Sequence, residues 1–471
     1  MRRKLIISSI ALICLIAVAV SLSYLNYGNR RHHQHIDDVK HVKCNHTDGR
    51  FCTHLPLVHI NTDGQDIPVL ADNSMVIDAD LSIFDKDDSN NHLDDQADLH
   101  SLITIRARGN TSLWFDKKSY LIRLIKEDRT ENAKKVMGME AHDKWILNGP
   151  ILDKTLIRNY ISMNIAGEIM SNAPDVRFCE VFVNDEYMGV YVMMEAISRG
   201  KGRVDISRYR EDRPFTSYIV RLDRGTVPEE EIDPFTGYTY NMNSICNIVY
   251  PARKNINEQI KTYIENDISA FEKALYSYDY ADKESGYRKH IDVMSFVDYL
   301  IINEFTQNYD AGIYSTYLYR DTKGKIGIGP VWDFNNAYDN YMETPMSATG
   351  FSFQNKVWYI MLMKDDYFTD LVIKRYKFLR KTVLSDEYLI NYIDKTVKYL
   401  GPAIDRNFDK WGYTFLIDKG LLEPAERNLK SYDAALNQLK NYITARGKWM
   451  DENIDSIKQY SHDSRNKSFN N

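Results

Sequence analysis

The chain has 471 residues, a formal charge of −6, and 44% hydrophobic against 27% charged residues. That balance excludes a disordered chain, and an acidic surplus with no basic stripe of interleaved aromatics argues against a nucleic-acid partner. Of five cysteines, Cys14 lies in an apolar start, so the rest form a sparse framework. A packed core, of one large or two ordinary domains, must hold the fold.

MRRK followed by the charge-free run Leu5–Leu22 has the form of a signal anchor or signal peptide over residues 1–26. The pattern favours a single-pass membrane anchor over a cleaved signal. Either way the bulk of the chain is extracytoplasmic or secreted. Residues 27–54 read as a polar linker, in which His32, His33 and His35 are expected to be solvated rather than metal-bound. Cys44 and Cys52 bracket NHTDGRF. In an oxidising compartment a disulfide between them is favoured over a zinc site with His41, His46 or His54.

LPLVHI, MVIDADLSIF and LITIRAR then alternate as strands do. The acidic stretch DKDDSNNHLDDQADLH between the last two lacks the sixth-position Gly and twelfth-position Glu of a calcium loop and reads as solvated surface. In RARGNTSLWFDKKSYLIRL a strand ends near Arg108 and a Gly-Asn-Thr-Ser turn follows. Amides of such a turn, with Arg108, Thr111 and Ser112, can cradle phosphate, though an ordinary hairpin loop has the same look. On the next strand Lys118 shares a face with Tyr120, Ile122 and Leu124, and Lys117 takes the other face. A lysine among inward apolar residues needs an anion, which selects Lys118. DKTLIRNYISMNIAGEIM predicts a helix capped by Asp153, with Glu168 an open partner for that lysine that stays outside the assigned site. FCEVFVNDEYMGVYVMMEAI predicts a hairpin turning at Asn184-Asp185 and ending at Glu195.

Residues 198–254 are mixed in character, and two amphipathic helices follow; the second ends at the loop carrying Asp310. Beyond that loop, YSTYLYRD and KIGIGPVW read as a hairpin turning at Thr322-Lys323-Gly324, which folds Asp310 back towards Asp333. With Asn308, Asn335 and Asn336 these acids make an oxygen-rich set suited to a hard divalent cation and phosphate; two solvated loop acids are the plain alternative. Helical periods fill 351–458, where Lys374, Arg375 and Lys377 form a charged helix face. Residues 459–471 are a polar tail.

NYDAG, STYLY and GPVWDFN resemble the core signature of the CotH kinase family, the spore-coat-protein-H-type atypical protein kinases. RARGNTSLWFDKKSYLIRL, LNGPILDKTLIRN, NDEYMGVYVMMEAI and ARGKWMDENID resemble the same family in the same order, over roughly residues 55–458. The resemblance implies an α+β, two-lobed protein-kinase-like fold, with a strand-rich nucleotide-binding lobe over 55–197 and a mainly helical catalytic lobe over 198–458. It implies transfer of the γ-phosphoryl of ATP, with Mg2+ or Mn2+, to Ser or Thr of an extracytoplasmic or coat protein substrate. Asp310 becomes the catalytic acid and Asp333, assisted by Asn335, the metal ligand. Arg108, Asn110 and Lys118 face the nucleotide, and Glu195 lies at the hinge. Two positions depart from the expected pattern: Ser315 stands where kinases place a metal-binding Asn, and Asn335 where the family often has an acid. Asp339 is a candidate for the missing charge. These departures keep open a second reading, a non-catalytic pseudokinase scaffold.

Overall fold

The computed structural model describes residues 32–36, 44, 50–69, 75–109, 111–225, 227–235, 244–417 and 421–462. The apolar run Leu5–Leu22, His41, His46 and Asn110 lie outside the described residues. Among the described residues no helix is long and apolar enough to cross a membrane.

The architecture is α+β. Its first part is a closed barrel of seven strands. They are β1 (Leu57–Asn61), β2 (Ile77–Phe84), β3 (Leu99–Arg108), β4 (Ser119–Ile125), β7 (Lys144–Asn148), β8 (Val176–Val183) and β9 (Glu186–Glu195). A small ribbon, β5 (Lys134–Val136) and β6 (Met139–His142), lies between β4 and β7. Around the barrel the order is β1-β2-β3-β4-β7-β9-β8, closed by the parallel pairing of β1 with β8. Alternation in the sequence decides what faces inward. Ile103 and Ile105 of β3, Tyr120, Ile122 and Leu124 of β4, and Tyr191 and Met193 of β9 share one buried interior cluster. The β8–β9 hairpin, turning at Asn184 in the left-handed region, is largely buried on both faces, in part because a helix covers its outside. That helix, α1 (Arg158–Ile169), is buried almost all round. Its Tyr160, Ile161 and Ile165 join Phe178, Val190, Val192 and Met194 in the main core.

The second sheet has the order β11-β12-β10-β13-β14. It comprises β10 (Tyr218–Asp223), β11 (Glu231–Ile232), β12 (Ile245–Tyr250), β13 (Thr316–Arg320) and β14 (Gly327–Ile328). Helices α2 (Glu258–Leu275), α3 (Val293–Thr306), α4 (Asp366–Leu379), α5 (Asp386–Leu400), α6 (Pro402–Trp411) and α7 (Tyr432–Asn453) complete the fold. Five of these helices start on a side chain that accepts an early backbone N–H: Asn257, Asp292, Asp365, Ser385 and Ser431. Each satisfies a donor that the helix itself leaves unpaired. α3, the helix that delivers Asp310, packs against α4 and β14 and so sits in the middle of this half.

His32 is exposed as expected, but the next three residues of the linker are not. His33, Gln34 and His35 are all buried. The Gln34 amide accepts from Phe178 N (2.7 Å) and donates to Phe178 O (3.1 Å), standing in for a neighbouring strand beside β8. His33 bonds the Tyr392 hydroxyl (2.7 Å) and lies 2.6 Å from Glu168. Glu168 therefore partners this strap rather than a strand lysine. Sequence pattern missed the strap because its polar groups are matched one by one rather than by an apolar period.

Candidate functional site

Several connections meet over one cleft. From the barrel come Arg108, Gly109 and Thr111 between β3 and β4, Asn148 to Asp153 after β7, and Met194 near the end of β9. From the other half come Arg224, Asp310, Trp332, Asp333, Asn335 and Asn336.

The loop carrying Asp310 is set by the way α3 stops. Gln307 takes left-handed backbone (φ 49°), and Asn308 N returns to Asn303 O at 3.0 Å. Asn308 Nδ2 then donates to Asn303 Oδ1 (3.1 Å) and to Trp332 O (3.2 Å). One side chain thus ties the Asp310 loop to the residue before Asp333. Gly312 (φ 84°) closes the turn, where a Cβ would lie 2.9 Å from Lys356 Cβ. The β13–β14 hairpin, in the register Leu318 with Ile328, returns the chain to the cleft. Asp333 itself has left-handed backbone (φ 62°, ψ 59°), a conformation a short polar side chain tolerates better than a branched one.

The two acids have different surroundings. Asp310 is buried, with Oδ1 accepting from Arg224 (2.8 Å) and Oδ2 from Asn336 (3.2 Å). The Arg224 guanidinium lies 3.7 Å over the Tyr314 ring. Asp333 Oδ1 accepts from Asn335 Nδ2 at 2.6 Å. Burial, and then the like charge of Asp310, push its carboxyl up to about 6, while Arg108 opposes the shift. Arg108 lies over Trp332 at 5.6 Å, and among the described residues it forms no ion pair; burial lowers its pKa. Asn335 is in turn fixed by Asn159 of α1, which also accepts from Phe334 N (2.9 Å) and donates to Asn148 Oδ1 (2.9 Å). The cleft therefore holds a rigid set of carboxylate and amide oxygens on one side and a guanidinium on the other. Those hard oxygen donors suit Mg2+ or Mn2+, and a cation would relieve the like-charge strain on Asp333.

Of the residues assigned from sequence, the fold brings Asp310, Asp333, Asn335 and Arg108 to the same cleft. Lys118 is not brought there. Its Nζ donates to Leu113 O (2.7 Å), and the buried lysine is its neighbour. Lys117 Nζ donates to Val190 O and Asn407 Oδ1, each at 2.7 Å, and burial lowers its pKa to about 7. The alternation fails here because β4 starts only at Ser119, so the bend before it breaks the strand's period. Glu195 is also turned elsewhere: it accepts from Asp175 N (2.9 Å) and lies 3.7 Å from Arg203, both acid and base buried. Met194 is the β9 residue that lines the cleft. Asp339 accepts from Met346 N and pairs with Arg427 (3.0 Å), which makes it a structural acid. Ser315 does not line the cleft. Asp153, expected as the cap of α1, lies upstream of the cap residue Ile157, but its carboxylate does accept from Arg158 N (2.8 Å).

Sequence reasoning missed Arg224, which carries no motif of its own, and assigned no role to Asn148 and Asn159 although both lie in the block LNGPILDKTLIRN. It also missed the buried ion pair beneath the Asp310 loop, Arg446 to Glu304 at 2.5 Å. Glu304 additionally accepts from Phe353 N (2.7 Å) and Gln307 Nε2 (2.8 Å).

The model of the family described as CotH kinase protein matches residues 105–450. The chain belongs to that family. The match begins within β3, just before Arg108, and ends within α7, so it contains the whole cleft. The chain is also 23% identical over 370 residues to inner spore coat protein H of Bacillus subtilis (strain 168), covering 75% of this chain and 87% of that protein.

Proposed function

We propose that this CotH-family protein is an atypical protein kinase, two-lobed in the protein-kinase manner, whose active site is the cleft between the barrel and the helical half. The observation that carries the reading is the convergence of Asp310 and Asp333 opposite Arg108. Asp333 and Asn335 would hold Mg2+ or Mn2+, which supplies charge neutralisation on the phosphates of ATP. Arg108 would face those phosphates, and the 111–114 turn would border them. Asp310, held by Arg224 and Asn336, would orient the acceptor hydroxyl of Ser or Thr and receive its proton. Little covalent chemistry is asked of the protein; positioning and fixed charge supply most of the effect.

The similarity to a spore coat protein supports a coat or other extracytoplasmic protein as substrate, with the apolar start as signal or anchor. A second reading, a scaffold that binds nucleotide without transferring it, draws support from the Arg224–Asp310 ion pair, which occupies the acceptor-orienting acid.

The test is transfer from labelled ATP by the full-length chain in detergent, with Mg2+ or Mn2+, scored on a generic acceptor and on the chain itself, beside Asp333→Ala. Label from the parent alone supports the kinase. Bound nucleotide without label from the parent supports the scaffold. Equal label from both displaces Asp333 from the site.

A further inference from the structure

A second cluster of ligating side chains lies apart from the cleft and shares no residue with it. One ligating atom from each of Cys44, Cys52 and His92 lies within 4.8 Å of the other two. His92 Nε2 is 3.2 Å from Cys44 Sγ, and no disulfide joins the two sulfurs. Of the expected histidine partners, His41 and His46 lie outside the described residues. His54 instead bonds Tyr399 O at 2.6 Å.

The cluster is assembled by backbone pairing. Thr53 and Asn91 form an antiparallel bridge with both bonds made, Asn91 N to Thr53 O (2.7 Å) and Thr53 N to Asn91 O (3.2 Å). Asn91 Nδ2 adds a bond to Leu55 O at 2.9 Å. Cys52 precedes one bridge residue and His92 follows the other, so the bridge fixes their separation. The imidazole is also oriented. Asp95 Oδ2 lies 3.2 Å from His92 Nδ1 and accepts His92 N at 3.1 Å, leaving Nε2 directed at the sulfurs. A carboxylate on one ring nitrogen with soft ligands at the other is the arrangement that tunes a histidine for a metal. Tetrahedral zinc, with Zn–S about 2.3 Å and Zn–N about 2.0–2.1 Å, separates sulfur from nitrogen by about 3.6 Å and sulfur from sulfur by about 3.8 Å. The observed sulfur–nitrogen distance of 3.2 Å is shorter than the first and opens slightly to admit the ion, and the 4.8 Å bound on the cluster accommodates the second. A disulfide would require neither His92 nor Asp95.

We propose that Cys44, Cys52 and His92 bind a zinc ion, with Asp95 as the positioning residue for His92 and a fourth position that no Cys, His, Asp or Glu of the described residues fills. The ion fastens the chain around Cys44 to the β2–β3 connection of the barrel. It keeps both sulfurs as thiolate ligands rather than as a disulfide.

The experiment is metal analysis of the full-length chain purified in detergent without chelator, followed by Co2+ exchange. Expected are stoichiometric zinc and, with Co2+, a thiolate-to-metal charge-transfer band that Cys52→Ser abolishes. Asp95→Asn should retain the band while weakening metal affinity 10–100-fold. A Cys44–Cys52 disulfide peptide in a non-reduced digest would overturn the proposal, as would metal-free protein with both thiols open to alkylation. If Cys52→Ser does not fold, the Co2+ spectrum of the parent decides alone.

Discussion

The strain on Asp333 gives a sharp prediction that does not depend on observing phosphoryl transfer. Burial and the facing Asp310 push its carboxyl up to about 6 in the folded protein, from an ordinary value of 3.8. A folded pKa above the unfolded one means that ionisation costs stability. The penalty is absent below about pH 4, grows between pH 4 and 6, and is complete above 6. Roughly two pH units at about 1.36 kcal/mol each come to about 3 kcal/mol. Asp333→Asn keeps an oxygen able to accept from Asn335 and removes the charge, so it should stabilise the metal-free protein by up to about 3 kcal/mol at pH 8 and by nothing at pH 4. With unfolding entropy near 2.1 cal/mol/K per residue, 471 residues give about 1 kcal/mol per degree, hence a rise of about 2–3 °C. Mg2+ should reverse the order: it should raise the melting midpoint of the parent above pH 6 and leave the variant unmoved. The assay is thermal melting at both pH values with and without Mg2+. A variant less stable than the parent at pH 8 without metal would refute the electrostatic account of the site, because it would mean that the ionised carboxylate is already satisfied by Arg108.

Other perturbations follow from the same geometry. Arg446→Met strands the buried Glu304 carboxylate beneath the Asp310 loop and should cost about 3–5 kcal/mol, whereas Arg446→Met with Glu304→Leu should cost much less than the sum of the single changes; a double-mutant denaturation cycle measures the coupling. Lys117 is lowered to about 7 from 10.5, so the parent should gain stability as pH rises from 7 towards 10, and Lys117→Met should flatten that rise in urea titrations at the two pH values. Gly312→Ala forces a side chain onto left-handed backbone against Lys356, and should lower transfer or nucleotide affinity more than it lowers the melting midpoint. Arg224→Ala removes the cation on Asp310, and should reduce transfer to an acceptor while leaving nucleotide affinity within about twofold, read by equilibrium binding beside turnover.

Much of the layout was legible because it rests on local patterns. Period-two runs mark the barrel strands. The Asn184-Asp185 and Thr322-Lys323-Gly324 turns mark the two hairpins, and the second explains why acids 23 residues apart in sequence share a cleft. What stayed hidden is long-range and polar. Lys117 and Lys118 exchange roles because the strand's period cannot be extended across the bend that precedes Ser119. The amine that goes inward meets Val190 O and Asn407 of α6, a helix nearly three hundred residues downstream. Gln34 copies a strand edge with a side chain, so its burial leaves no apolar trace. Arg446 reads as one more charge on an amphipathic helix until the fold sets it against Glu304. In each case a buried polar group is tolerated because a distant partner meets it, and single-chain periodicity carries no information about distant partners. The proximity of the two cleft acids was legible for the opposite reason, while their roles came only from the family resemblance. Both acids stand on loops at the ends of regular elements, where turn residues and element boundaries give their positions away, and where a rigid scaffold can hold two like charges together for a cation to bridge.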